Sequence, residues 1–309
     1  TVAAITSKVT PMALALSEAT IEFEKFAGVN KELADEIIET GFAFGFTAEQ
    51  SLAAGAKMAQ LTALIGEAAV ATATELGQTF ALISGMGTAD AMTKMINLQQ
   101  QTSFMYGDLT EAQFKHLDAT AQQNTVYANT IEVLDQLNTI ENRSAASMKQ
   151  ITFVMNQFAS QADRTGESIS NMAAMSAVLI ESGEEMGKAG RALRMIYARL
   201  GSNIQNNNDL LKEQGIETKN AAGEMRPLSD IVSDLSKKFP ELTAEQQQNI
   251  VQTVAGNDHY VRFIKLIDNS ARVTELASAA VNDQSTATEE LNRVIEDNST
   301  KYKDATAEL

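Results

Sequence analysis

"LTAEQQQNIVQTVAGNDHYVRFIKLI", residues 242–267, holds both the pattern that sets the fold and the cluster most suggestive of chemistry. Thr243 and Gln246 stand three apart near its start. The threonine hydroxyl can accept from the backbone N–H three residues on while the glutamine reaches back, a reciprocal cap for a helix over 244–254. Beyond Gly256, the residues Asp258, His259 and Tyr260 lie side by side. The chain has 2 histidines, so one flanked by an acid and a phenol invites a catalytic reading. Tyr260, Phe263, Ile264, Leu266 and Ile267, however, recur at three and four and mark a second helix over 259–280. Asn257 or Asp258 then reads as its N-cap, with the acid at the helix's positive end. An acid–base or nucleophilic site needs groups that converge in space, each oriented by a neighbour. The other histidine, His116, is distant in sequence, inside a capped polar helix. The cluster is expected to be structural.

The same punctuation repeats outward along the chain. "TAEQ" recurs at 47–50 and "TEAQ" stands at 110–113, and Thr10–Pro11 offers an N-cap followed by a first-turn proline. Gly28, Gly66, Gly85 and Gly201 read as stops. Helices are predicted near 11–27, 31–45, 48–65, 68–84, 89–105, 111–138, 145–164, 168–182, 184–200, 208–213, 229–238, 244–254, 259–280 and 286–309. The exception is "EQGIETKNAAGEMRPLSD" (213–230), where Ile216 and Met225 flank a polar turn with Asn220 and Gly223, a small hairpin or ordered loop near 213–228. Residues 43–85 and 162–201 share a rough plan of two helices broken near glycine, a degenerate helix pair. In 283–309 the apolar positions thin to Ala287, Leu291, Val294, Tyr302, Ala305 and Leu309. That stripe suits one strand of a loose coiled coil with Asn298 on the seam, or equally a solvated tail helix. The fold class is all-α: a multi-helix array of Ala- and Met-rich amphipathic helices ending in an extended, coiled-coil-like helix.

Composition narrows the function classes. The 309 residues begin at Thr1 and end at Leu309 within a periodic run, as expected of a piece of a longer polypeptide. Hydrophobic residues make up 44%, but alanine supplies much of that, so helix contacts should be close and individually shallow, and the fold soft. The absence of cysteine excludes disulfides and thiolate metal sites. A net charge of −16 argues against a nucleic-acid clamp. "MAQLTALIGEAAVATAT" (58–74) is the best membrane candidate, yet it is Thr-rich and carries Gln60 and Glu67, too polar for a confident span.

Other candidates resolve to structure. "GEEMGK" (183–188) and "TEELNRVIED" (288–297) carry carboxylates without the alternating ligands and turn glycine of a calcium loop. "GMGTADA" (85–91) lacks the strand and lysine of a phosphate loop and reads as a C-cap followed by a Thr88 N-cap. Met172, Met175, Met186 and Met195 can form an adaptable partner surface, but at helical spacing they read as core. In "KAGRALRMIYARLGS" (188–202), Ala189, Ala192, Leu193, Ile196, Tyr197 and Leu200 line one face. Arg191, Arg194 and Arg199 project elsewhere as a basic band expected to meet acidic partners in this chain or a neighbouring subunit. No catalytic, cofactor-binding or metal-ligating residue is assigned.

The order of parts carries a resemblance. "VLDQLNTIENRS" (133–144), "GKAGRALRMIYARL" (187–200), "GIETKNAAGEMRPLSDI" (215–231) and "LTAEQQQNIVQTVAGNDHYVRFIKLI" (242–267) follow one another as in the core region of tail tape measure proteins of tailed bacteriophages and prophages. The family commonly has Ala-Gly-Thr-Ala-Leu-Arg where this chain has Ala-Gly-Arg-Ala-Leu-Arg (189–194). The likeness covers about 125–281 and divides the chain into an N-terminal helical region (1–124), a tape measure core (125–281) and the start of an extended helix or coiled coil (282–309). It implies a structural, non-enzymatic ruler and scaffold for tail tube assembly, filling the tail lumen and tip and released ahead of DNA during genome ejection. Implied partners are further copies of the chain (a trimer favoured), the tail tube protein, the tail tip or baseplate hub, and tail assembly chaperones, with no sequence-specific nucleic-acid binding and no cofactor. The implied locations are the virion tail, the host cytoplasm during assembly and the host envelope on ejection. The alternative reading is a membrane-inserting ejection protein forming part of a DNA-passage channel.

Overall fold

A computed structural model of the chain describes residues 2–28, 30–60, 69–201, 210–283 and 286–307, with side chains between 13 and 297. Among the described residues the secondary structure is helical apart from turns and one isolated antiparallel bridge, Lys219 to Met225. The α-helices are α1 (Val2–Ala27), α2 (Lys31–Ala43), α3 (Ala48–Ala59), α4 (Val70–Ile83), α5 (Thr88–Gln101), α6 (Glu111–Lys115), α7 (Ala119–Arg143) and α8 (Met148–Met155). They continue with α9 (Ala159–Asp163), α10 (Ile169–Glu181), α11 (Met186–Gly201), α12 (Leu228–Lys238), α13 (Ala244–Ala255), α14 (Tyr260–Asp268), α15 (Ser270–Asn282) and α16 (Thr286–Ala307). The all-α expectation holds.

Helix starts follow the sequence closely. Thr47–Gln50, Thr110–Gln113 and Thr243–Gln246 each close both reciprocal bonds of the cap. Ser147 and Gln150 form a fourth cap of the same kind at α8, which the sequence reading passed over. Gly28 and Gly85 take φ of 72° and 62° as helix stops, whereas Gly66 lies outside the described residues. Helix α1 starts at Val2, not at Thr10–Pro11. Proline removes only its own N–H donor and presses on the carbonyl four residues back, and here the helix runs through it.

Three predicted helices are broken, each for a local reason. The span 111–138 divides because the Asp118 carboxylate accepts from Ala121 N at 2.8 Å and starts α7 afresh. The span 145–164 breaks where Phe158 leaves helical geometry (φ −134°) to bury its ring against Tyr197, 5.7 Å away and stacked. The span 259–280 breaks at Asn269, whose amide donates to Lys265 O at 2.8 Å.

Contacts group the chain into two compact units: residues 1–99, 103–134 and 285–309, and residues 100–102 and 135–284. In the first unit α1 packs most heavily on α3, α2 sits on α3 and α4, and α16 rests on α4 with Ala287 fully buried. The approach is close. A Cβ on Gly55 would lie 2.9 Å from Ile37 Cδ1 and 3.1 Å from the Phe23 ring, and one on Gly77 would lie 2.3 Å from Met92 Sδ. Phe23, Ile37, Leu52, Met58, Leu76 and Phe80 fill the core between these helices. Gln78 and Gln99 are also buried there, with both side-chain polar atoms unpartnered.

In the second unit α10 is the hub, packed on α15, α8, α11 and α14, while α11 also meets α8, α13 and α14. Met172 and Met175 are core, as expected, and Met186 and Met195 are half-buried. The 213–228 segment is a small hairpin-like turn. Asn220 N donates to Glu224 O at 2.8 Å, the Asn220 side chain accepts from Ala222 N and Glu224 N, and Gly223 takes φ 82°. A buried carboxylate fastens this turn to the hub. Glu167 accepts from Tyr197 Oη at 2.8 Å, from Ser229 Oγ at 2.6 Å and from Ser229 N at 3.1 Å, so it also caps α12. Burial, with the Glu167 carboxylate beside it, holds the Tyr197 hydroxyl protonated well above the usual phenol range.

An unpaired buried amide forfeits its solvation without a compensating bond. Gln78→Met, close to it in volume, is therefore expected to stabilise the first unit by about 1–2 kcal/mol, read as a higher urea midpoint by far-ultraviolet circular dichroism. A lowered midpoint would show that the amide is satisfied in solution.

Candidate functional site around the Gly256–Arg262 turn

The turn begins where α13 ends. Gly256 adopts φ 72° and ψ 172°, and Arg199, from the last turn of α11, lies directly over it. A Cβ on Gly256 would sit 2.8 Å from Arg199 Nη2, and Arg199 Nη1 points at Thr253 O, 3.5 Å away. A guanidinium at a helix C-terminus meets the negative end of the backbone dipole, so Arg199 is absorbed in finishing α13.

Asn257–His259 then form a 3₁₀ turn, and α14 opens at Tyr260. The expected side-chain cap is absent: neither Asn257 nor Asp258 caps α14, and His259 occupies the N-cap position without a side-chain bond. The tight 3₁₀ geometry and the shape imposed at Gly256 replace it. What Asp258 contributes is its carbonyl, which accepts from Arg262 Nη1 at 2.9 Å.

His259 is half-buried, with Nδ1 enclosed and unpartnered. Burial comes first in holding its imidazole below the ordinary range; Arg262, Arg199 and Arg191 act the same way, and the Asp258 carboxylate opposes them. The ring is thus a neutral group within a cationic rim. That setting supplies neither a second acid aimed at the ring nor an activated nucleophile. His116 belongs to the other unit, exposed at the C-cap of α6. Among the described residues no group of three or more His, Cys, Asp or Glu side chains is arranged to hold a metal ion.

Beside the turn, the "GEEMGK" run has a definite task. Glu184 forms an ion pair with Arg262, whose Nε lies 2.6 Å away, and accepts from Lys265 Nζ at 2.5 Å, while Lys265 Nζ also donates to Ser182 O at 2.7 Å. The α10–α11 corner is thereby tied to α14. Burial pushes the Glu184 carboxyl up, but the Lys265 hydrogen bond and the charges of Arg262 and Lys265 together outweigh it and hold it below the usual glutamate range. One turn earlier, Glu181 accepts from Arg272 and from Ala145 N at 3.0 Å, and Arg272 also donates to Arg143 O. Of the predicted basic band, Arg191 and Arg194 are exposed and have no ion pair or hydrogen-bond acceptor among the described residues. Sequence reasoning missed Glu167, Glu181 and Glu184 as partners. Their bonded atoms lie 30 to 91 positions away, a separation no local pattern encodes.

Gly256→Ala meets two obstacles, a positive φ and the Arg199 guanidinium, and is expected to destabilise the second unit by about 1–3 kcal/mol; chemical denaturation measures this. Because folding lowers the pH at which Glu184 takes up a proton, its contribution is full above the ordinary glutamate range and disappears as pH falls through the depressed value. Glu184→Gln should therefore lower the denaturation midpoint at neutral pH and flatten its decline in acid, a difference that pH-resolved urea titrations detect.

Residues 116–256 match the family described as "Phage-related minor tail protein". A protein of Escherichia phage P2, named "Probable tape measure protein", is 26% identical over 167 residues, which is 53% of this chain and 20% of that protein. The chain thus spans about a fifth of that relative's length. No solved structure matches it. These likenesses relate residues 116–256 to phage minor tail proteins and the chain to a phage tape measure protein.

Proposed function

We propose that this chain is a segment of a ruler and scaffold for the phage tail, acting by its length and its helical surfaces and not by catalysis. The observation that carries the reading is the likeness to a tape measure protein on a chain built from helices. An α-helix advances 1.5 Å per residue, so a helical ruler converts residue number into distance linearly. In this reading the protein occupies the tail lumen and tip as a homo-oligomer, a trimer favoured, while tail tube subunits polymerise around it, and it touches the tip or baseplate hub and assembly chaperones. It is made in the host cytoplasm and leaves the tube ahead of the DNA. A partner for α16 in a coiled coil, and the three-part division at 124/125 and 281/282, belong to this proposal as well.

The first unit suits passage through a narrow tube. Its helices are joined by alanine and glycine contacts, and its buried amides Gln78 and Gln99 gain partners when it opens. The membrane-inserting alternative is not carried forward. Among the described residues no helix is long and apolar enough to cross a membrane, and residues 61–68 of the 58–74 candidate lie outside them.

The test is tail length. A second copy of the 22 residues of α16, inserted after Ala307 in the phage-encoded protein, should lengthen the tail by about 33 Å at 1.5 Å per residue. Electron microscopy of purified particles measures this, and tails of unchanged length would refute the ruler.

A further inference from the structure

Two outward helix faces complement one another. On α11 the residues turned away from the hub are Gly187, Arg191, Arg194 and Ala198. Several cations of the second unit are engaged: Arg143 with Asp283, Arg226 with Asp234, Arg262 and Lys265 with Glu184, and Arg272 with Glu181. Arg191 and Arg194, like Arg164 and Lys212, have no ion pair among the described residues, and on α11 the two share one face with small residues on either side that leave room for a helix to approach. Arg191 lies near enough to His259 for its charge to act on that ring, and Val261, beyond it on α14, is 58% exposed.

On α1 the face opposite the buried Ala19 and Phe23 carries Leu14, Glu18, Ile21, Glu22 and Lys25. Leu14 and Ile21 are 60% and 64% exposed. These positions fall within about 100° of the helix circumference, one continuous stripe. It is apolar at two points one heptad apart and acidic between and beside them. Charge is unevenly divided as well. The first unit has 9 Lys and Arg against 21 Asp and Glu, and the second 15 against 19. The acidic surplus lies mainly in the unit that bears the α1 stripe.

We infer that the Arg191/Arg194 face of α11 docks on the Leu14–Glu22 face of α1 in a second copy of the chain. The arginines meet Glu18 and Glu22, and Leu14 and Ile21 are covered in the same contact. The two faces differ, so the contact is head-to-tail. Each copy keeps one free face of each kind, and association either closes into a ring or propagates. This deepens the self-association proposed above and rests on it.

Charge-exchange variants of the 309-residue chain test the contact by sedimentation. R191E/R194E and E18R/E22R, each checked for unchanged helicity by circular dichroism, should self-associate about ten- to a hundredfold more weakly than the parent, because like charges then face each other. An equimolar mixture of the two should recover association in alternating, even-numbered assemblies, since unlike variants offer each other opposite charge, whereas a closed three-membered ring would bring two like copies together. Raising the salt from 0.05 to 0.5 M should weaken the parent's association by about tenfold. If the parent associates and both variants do so equally well, or if their mixture fails to recover, this surface is wrong while self-association stands. If the parent stays monomeric up to a few hundred micromolar, the surface and the self-association fall together.

Discussion

Close approach of helix backbones is the constraint on which the rest of this molecule depends. Apolar burial scales with area removed from water, and alanine offers little of it. An Ala-rich array gains cohesion only by bringing helices near enough for larger neighbours to reach across. Gly55 and Gly77 permit this in the first unit, where Phe23, Ile37 and Met92 fill the space a side chain would need. Gly190 does the same on α11, against the Gln157 amide. The consequence is a core with few large contacts per crossing and room for polar groups. Buried Gln78 and Gln99 are left without partners there, at a cost in solvation.

The second unit solves the same problem differently. Three carboxylates bracket α10, with Glu167 just before it, Glu181 at its last residue and Glu184 in the turn that follows, and each draws donors from distant parts of the chain. Charge-assisted bonds of this kind are stronger than neutral ones and more specific in direction. They set where α12, α14 and α15 stand relative to the α10 hub. The turn at Gly256 is part of that arrangement, since Arg199 can finish α13 only where no Cβ intervenes. Among the described residues Arg191 and Arg194 take no part in that fastening and share one outward face of α11.

How much was legible beforehand follows from the range of the interactions. Thr47–Gln50, Thr110–Gln113 and Thr243–Gln246 were read correctly because a capping box lies within four residues. Ser147–Gln150 obeys the same rule and was available to the same reading. The turn with Asn220 and Gly223 was legible for a like reason: its bonds join residues at most eight apart. The break at Phe158 was not, nor was the cause of the backbone shape at Gly256. Phe158 leaves its helix to reach Tyr197, 39 positions on, and Gly256 is shaped by Arg199, 57 positions back. The cationic neighbours of His259 were not legible either, since Arg191 and Arg199 come from α11 and Arg262 from one turn further along α14.

By itself, then, the sequence determined the helical character, most helix starts and the tape measure likeness, because each is written in neighbouring residues or in the order of motifs. Tertiary structure alone decided which carboxylates became anchors, which glycines became crossing points and which arginines were left facing outward. The physical reason is that capping and periodicity are local to a few turns of one helix, whereas burial, close approach and ion pairing depend on what another helix brings to the same place.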